Sequence, residues 1–76
     1  MVTGRLPSLK PAEVIRVLER NGFRLLRSTK HRTYTDDGDP PRLVRVPYHN
    51  KDLKPKTLRS IIRQAGWSDE EFLTKL

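Results

Sequence analysis

The 76-residue chain contains no cysteine. This absence excludes disulfide bonds, thiolate zinc sites and a cysteine nucleophile. The four glycines are scattered at positions 4, 22, 38 and 66, so a glycine-rich phosphate-binding loop is missing. No run of about 18 apolar residues occurs, and the N-terminal stretch lacks the apolar segment of a signal peptide. We therefore expect a cytoplasmic protein without a membrane span.

Histidine is scarce as well, with His31 and His49 as its two occurrences. Neither is accompanied by a group of carboxylates at ligand spacing, and Asp52 stands close to Lys51 and Lys54. Because ligating histidines usually have carboxylate support, we expect no metal site. We expect no other cofactor either.

Positive charge is the first indication of function. Sixteen Lys and Arg residues against nine Asp and Glu residues give a net charge of +7. The excess is confined to residues 24–63, which hold eleven of the basic and four of the acidic residues. A basic middle region between neutral ends is typical of proteins that bind a phosphate backbone or another polyanion. A highly charged surface without a partner is the alternative.

Three segments have the spacing of amphipathic helices. The first is predicted over residues 11–21, and the second begins at Pro55 and ends at Gly66. Proline is favoured in the first helical turn and glycine just after the last one. A third, short helix follows a capping box formed by Ser68 and Glu71. This helix is expected to be lined by Phe72, Leu73 and Leu76.

Three further runs lie between the first two helices and have the composition of strands. They are predicted at residues 23–28, 31–35 and 42–48. A dense turn signal at 36–41 precedes the last run, whose alternation places Val44, Val46 and Tyr48 on one face. Core packing is therefore expected for Tyr48, and stacking on RNA bases is the alternative. The order predicts a single α+β domain over residues 1–76. Its three-stranded antiparallel sheet should carry α-helices on one face, in an α-β-β-β-α arrangement with a short C-terminal helix.

His31 is the leading candidate for catalysis. RNA cleavage is chemistry that a histidine can perform with help from cations, because the 2′-hydroxyl is a built-in nucleophile. A histidine can remove and return protons near neutral pH. Lys30, Arg32 and Arg27 would stabilise the charge that develops on the phosphoryl oxygens. The alternative is that His31 is one more polar residue on a solvated basic strand.

His49 and the second helix provide additional candidates. His49 lies with Lys51 in a polar loop after the third strand. It is either a second functional group or a histidine that hydrogen-bonds to the loop backbone. Arg59 and Arg63 share the exposed face of the second helix, where they could hold a phosphate backbone or an acidic protein partner.

These stretches resemble the HicA toxin family, the mRNA interferases of HicAB toxin–antitoxin systems. The opening helix "VIRVLERNGF" and the histidine segment "KHRTY" are similar to those of the family. The most specific stretch is "VRVPYHNKDLKPKTLRSIIRQAGWSDEEFL" (44–73), with its V-P-x-H and T-L-R-x-I-x-R-Q-A-G patterns. The resemblance implies a fold like that of double-stranded-RNA-binding domains. It also implies metal-independent mRNA cleavage that arrests growth, and neutralisation by a HicB-like antitoxin.

Carried over to this chain, the catalytic histidine of the family falls on His31 and the V-P-x-H histidine falls on His49. RNA binding or transition-state stabilisation is expected from Arg27, Lys30, Arg32, His49 and Lys51. One departure concerns the G-S-H segment of the family, which reads Thr29-Lys30-His31 here. Either Lys30 supplies charge where relatives use backbone N–H groups, or the activity is reduced. Two alternatives therefore stay open: a non-catalytic RNA-binding module, and a protein-interaction domain whose basic face binds an acidic partner.

Overall fold

The computed structural model of the chain describes residues 6–76. The start of the N-terminal stretch, in which we expect no signal peptide, lies outside the described residues. The elements in chain order are α1 (Pro11–Arg20), β1 (Arg24–Ser28), β2 (His31–Thr35), β3 (Leu43–Pro47), α2 (Pro55–Gln64) and α3 (Asp69–Thr74). This order confirms the predicted α+β fold, which is consistent with that of double-stranded-RNA-binding domains.

The three strands form one antiparallel sheet in the order β1-β2-β3, so β2 is central. A two-residue turn joins β1 to β2, and β1 carries an extra residue where the pairing register shifts between Leu25 and Arg27. In the β2–β3 ladder, His31 stands opposite Pro47. Because neighbouring strands run in opposite directions, β2 begins where β1 and β3 end. We call this side of the sheet, where His31 lies, the His31 end.

The hydrophobic core lies between one face of the sheet and the helices. Its central strand residues are Tyr34, Val44 and Val46, which are 1% exposed or less. The helices contribute the fully buried side chains of Val14, Leu18, Leu58, Ile61, Ile62 and Phe72. The apolar positions of α1 and α2 recur at helical spacing, so each helix presents one apolar stripe to the sheet. Burial of each such side chain contributes about 1.5–3 kcal/mol.

Helix ends form where the sequence predicts them. Gly22 and Gly66 follow α1 and α2 with φ angles of 91° and 83°, a conformation that glycine adopts at little cost. A Cβ atom on Gly66 would lie 2.7 Å from Nε of Arg42, whereas nothing lies within 4 Å of one on Gly22. The Ser68 hydroxyl accepts the N–H of Glu71 at 3.1 Å, and the Glu71 carboxylate accepts the N–H of Ser68 at 2.9 Å. The capping box before α3 is therefore confirmed.

Two residues lie elsewhere than the sequence predicts. The prediction for Tyr48 is wrong, because this residue follows the last residue of β3 and is 48% exposed. The prediction for Leu76 is also wrong, because α3 ends at Thr74 and Leu76 is 51% exposed.

Candidate active site

His31 is the first residue of β2, and its side chain lies on the sheet face away from the helices. Successive strand residues point to opposite faces, and Tyr34 of the same strand is buried against the helices. His31, Thr33 and Thr35 therefore share the other face, which we call the open face. The His31 side chain is only partly buried. Its exposed part is accessible to a ligand.

An arginine row crosses the open face next to His31. Thr33 stands opposite Arg27 on β1 and Arg45 on β3, and residues that stand opposite each other share a face. Both arginines are exposed, whereas Thr33 is 5% exposed because it lies between them. Diagonal neighbours on adjacent strands are about 7–8 Å apart. Two long cationic side chains therefore lie within reach of an anion bound at the imidazole.

A groove connects His31 to α2. It is open to solvent, has a volume of about 570 Å³ and is lined by His31, Arg45, Pro47, Thr57, Ser60, Ile61 and Gln64. The Gln64 side-chain oxygen accepts the backbone N–H of Arg45 at 3.0 Å. This bond fixes α2 along the outer edge of β3. As a result, hydroxyl and amide groups of α2 line the same groove as the imidazole, which suits a phosphodiester.

Lys30 and Arg32 flank His31 in the sequence but occupy different places. Lys30 is exposed in the turn between β1 and β2. Arg32 follows His31 on the strand and therefore points to the opposite face. Its guanidinium carbon lies 3.7 Å from the centroid of the Tyr48 ring. The charge of Arg32 thus lies against the Tyr48 ring and not on the open face.

His49 and Lys51 lie in the loop after β3, at the same end of the sheet. Nδ1 of His49 accepts the backbone N–H of Lys51 at 3.2 Å. This contact is the structural role that the sequence left open for His49. It engages one ring nitrogen and leaves Nε2 as the atom that a ligand could meet. Both side chains are exposed.

The turn before His31 forms without a glycine. Within residues 6–76, Asp37 is the one non-glycine residue with positive φ, so neither Thr29 nor Lys30 needs a left-handed backbone. The N–H of Thr29 donates to the carbonyl of His31 at 3.0 Å, and the Thr29 hydroxyl does so at 3.4 Å. Lys30 therefore adds a charge at the turn without the backbone strain that loss of a glycine often causes.

Acidic residues lie at the end of the sheet opposite to His31, in the loop between β2 and β3. The backbone N–H groups of Arg42 and Gly38 lower the pKa of Asp36. The Arg24 guanidinium, which forms two hydrogen bonds of 2.7 and 2.9 Å with Asp37, lowers the pKa of that carboxyl. Neither ion pair found within residues 6–76 involves the His31 end. The cations around His31 consequently keep their charge available for an anionic ligand.

Sequence reasoning missed all four polar lining residues other than His31: Arg45, Thr57, Ser60 and Gln64. A local signal existed for Arg45, since it alternates with the buried residues Val44 and Val46 and must face outward. The α2 residues carry no such signal. They meet His31 through the packing of α2 against β3.

Two classes of feature are missing from the described part of the chain. Residues 6–76 contain no group of three or more His, Asp or Glu side chains that could hold a metal ion. No helix in that range is long and apolar enough to cross a membrane.

The family model for the HicA toxin of bacterial toxin–antitoxin systems matches residues 11–67. That range includes α1, the whole sheet, α2 and every candidate site residue named above. No curated protein matches the chain.

Proposed function

The chain belongs to the HicA toxin family, and from this premise we propose that it is an endoribonuclease toxin that cleaves mRNA without a metal ion. His31 is its general acid/base, and one domain over residues 1–76 carries the activity. The observation that supports the proposal is the position of His31. Its imidazole lines a groove with Arg45 and with polar side chains of α2.

The reaction uses the RNA as its own nucleophile. The imidazole of His31 takes the proton from a 2′-hydroxyl, and the 2′-oxygen attacks the adjacent phosphorus. The bond to the 5′-oxygen then breaks, and this oxygen takes up a proton, so the number of protons is unchanged. The products are a 2′,3′-cyclic phosphate and a free 5′-hydroxyl. General acid–base catalysis of this kind contributes about 10²–10⁴-fold in rate.

Cations of the open face stabilise the charge on the non-bridging oxygens of the phosphorane. Arg27 and Arg45 are best placed for this task, because they share the face of His31. Lys30 adds charge from the turn, and Lys51 and His49 from the loop after β3. Arg32 lies on the opposite face, with its guanidinium against the Tyr48 ring.

The natural partner is a HicB-like antitoxin. A protein that blocks a basic groove is expected to present acidic groups to it, since complementary charge favours association. An antitoxin of this kind would cover the open face at the His31 end and keep RNA away from the imidazole.

The test compares the wild-type chain with His31→Gln, a change that retains polarity and removes proton transfer. The wild type should arrest growth of a bacterial host and cleave purified RNA in the presence of a chelator. The cleaved ends should carry 2′,3′-cyclic phosphate. His31→Gln should lower the cleavage rate by about 10²–10⁴-fold and abolish growth arrest. His49→Gln removes the other histidine and should have a smaller effect.

Equal growth arrest by the wild type and His31→Gln would eliminate His31 as the catalyst. Loss of cleavage on addition of the chelator would eliminate the metal-independent mechanism. Thermal unfolding of each variant shows whether a loss of activity reflects a loss of fold.

A non-catalytic RNA-binding module is the second candidate, favoured by Lys30 at a position where the family carries a small residue. It predicts RNA binding that weakens steeply with salt and RNA that is not shortened. Cleavage by the purified wild type decides between the two.

A further inference from the structure

A second groove lies beside the groove of His31. It is open to solvent, has a volume of about 640 Å³ and is lined by Lys56, Arg59, Ser60, Arg63 and Gln64. Ser60 and Gln64 line both grooves. The two depressions therefore form one continuous surface, which runs from the imidazole across α2.

This surface carries charge of one sign. The α2 segment contains three basic residues and no acidic residue. Lys56, Arg59 and Arg63 are three and four residues apart, so they occupy one face of the helix. From Lys56 to Arg63 the helix rises by roughly 10 Å, which is longer than the repeat of one nucleotide. The row can therefore contact more than one backbone phosphate.

The first turn of α2 departs from a rule that the other helices obey. Acidic residues occupy the first turn of α1, at Glu13, and of α3, at Asp69 to Glu71, whereas α2 has none there. Instead, α2 carries Lys56 in that turn. A cation near a helix N-terminus interacts unfavourably with the helix dipole, and violations of local rules occur mainly at functional sites. An anion bound at Lys56 would relieve this unfavourable interaction.

The three cations are accessible to such an anion. Arg59 forms an ion pair with Asp69, with 3.3 Å between Nε and Oδ2, and both side chains are partly exposed. Exposed pairs of this kind contribute little to stability, so a phosphate can compete for Arg59. Lys56 and Arg63 take part in neither ion pair found within residues 6–76.

We propose that Lys56, Arg59 and Arg63 bind the backbone phosphates of the RNA that flank the bond cleaved at His31. Ser60 lies between the two grooves, where its hydroxyl accepts a hydrogen bond from Nε2 of Gln64 at 3.1 Å and can donate its own proton to a phosphate oxygen on the same path. The subsite deepens the proposed function and rests on it, since it assigns the flanking RNA to the outer face of α2.

The experiment measures the affinity of a labelled single-stranded RNA oligonucleotide over a range of salt concentrations. All proteins carry His31→Ala, so that the RNA stays intact. Lys56→Gln and Arg63→Gln each remove one charge from α2. Arg16→Gln removes one charge from the exposed side of α1 and is the matched control. Thermal unfolding of each variant confirms the fold.

Each α2 variant should weaken binding several-fold at low salt and make the slope of log K against log salt shallower by about 0.7. Arg16→Gln should leave both quantities close to the parent values. Unchanged binding by the α2 variants would overturn the subsite. An equal loss in Arg16→Gln would overturn it too, because net charge would then explain the effect. Weaker binding to an acidic partner protein, with RNA binding intact, would assign the surface to that partner and overturn the subsite as well.

Cleavage by chains with His31 intact separates the two proposals. If the α2 variants bind RNA more weakly but the chain with His31 intact does not cleave RNA, the subsite is supported and the nuclease proposal is refuted. If the chain with His31 intact cleaves RNA but the α2 variants bind RNA normally, the nuclease proposal is supported and the subsite is refuted.

Discussion

The two long helices, α1 and α2, are alike in their buried faces and differ in the charges of their exposed faces. Both span ten residues, begin with a proline after a lysine and are followed by a glycine with positive φ. The outer face of α1 mixes Glu13, Arg16, Glu19 and Arg20, whereas that of α2 carries Lys56, Arg59 and Arg63. Packing against one sheet makes similar demands on the inner faces. The outer faces are free of that demand, and the outer face of α2 carries basic residues without acidic ones.

The largest expected effect concerns the inner faces, which should respond alike to truncation. Leu18→Ala in α1 and Ile62→Ala in α2 each remove a side chain that is 0% exposed. Each change should lower the free energy of unfolding by about 2–5 kcal/mol, as measured by denaturant titration. If one variant lowers the free energy of unfolding by less than about 1 kcal/mol and the other by about 2–5 kcal/mol, the two inner faces are not equivalent.

An intermediate effect is expected at the two glycines that follow these helices. Gly22→Ala and Gly66→Ala both force a left-handed backbone on a residue with a side chain, at about 1–2 kcal/mol. At Gly66 the new methyl group must also displace the Arg42 guanidinium. That guanidinium is the end of a flexible side chain, so the additional cost should be smaller than the backbone cost.

The same measurement in an Arg42→Ala background sharpens the comparison. There, Gly66→Ala should cost as much as Gly22→Ala. A difference that persists without Arg42 would show that the two helix ends differ in something other than this contact.

The smallest effect is expected from charges in the first turn. Lys56→Glu should raise the free energy of unfolding by about 0.3–1 kcal/mol, because it replaces an unfavourable charge at the N-terminus of α2 by a favourable one. Glu13→Gln in α1 should lower it, since Glu13 also accepts the backbone N–H of Lys10 at 2.8 Å. Thermal unfolding at low salt would reveal both shifts. Destabilisation by Lys56→Glu would contradict the view that α2 trades stability for a basic surface.

The fold was predictable because its signals are local. Apolar spacing between Pro11 and Gly22, and again between Pro55 and Gly66, is enough to place both helices. Alternation also identifies the buried face of β3. It does not reveal where the helices stop covering the sheet, and for this reason Tyr48 was expected inside and is found outside.

The candidate site was predictable in part. His31 and Arg27 were expected at the site and share one face of the sheet. Arg32 was expected there too, but alternation along the strand directs it to the opposite face. The contribution of α2 was out of reach, because Ser60 and Gln64 are brought to His31 by tertiary packing over about thirty residues of chain. Local sequence patterns carry no information on such a tertiary contact.

The two edges of the sheet have a consequence for self-association. An edge strand offers unpaired N–H and C=O groups to a strand of another chain, a common route to aggregation. On β3, the Arg45 N–H is already taken by Gln64. On β1, whose residues Leu25 and Leu26 are exposed, the extra residue interrupts the regular row of edge groups and bends the strand. Both edges of the sheet are therefore poorly suited to pairing with a strand of another chain.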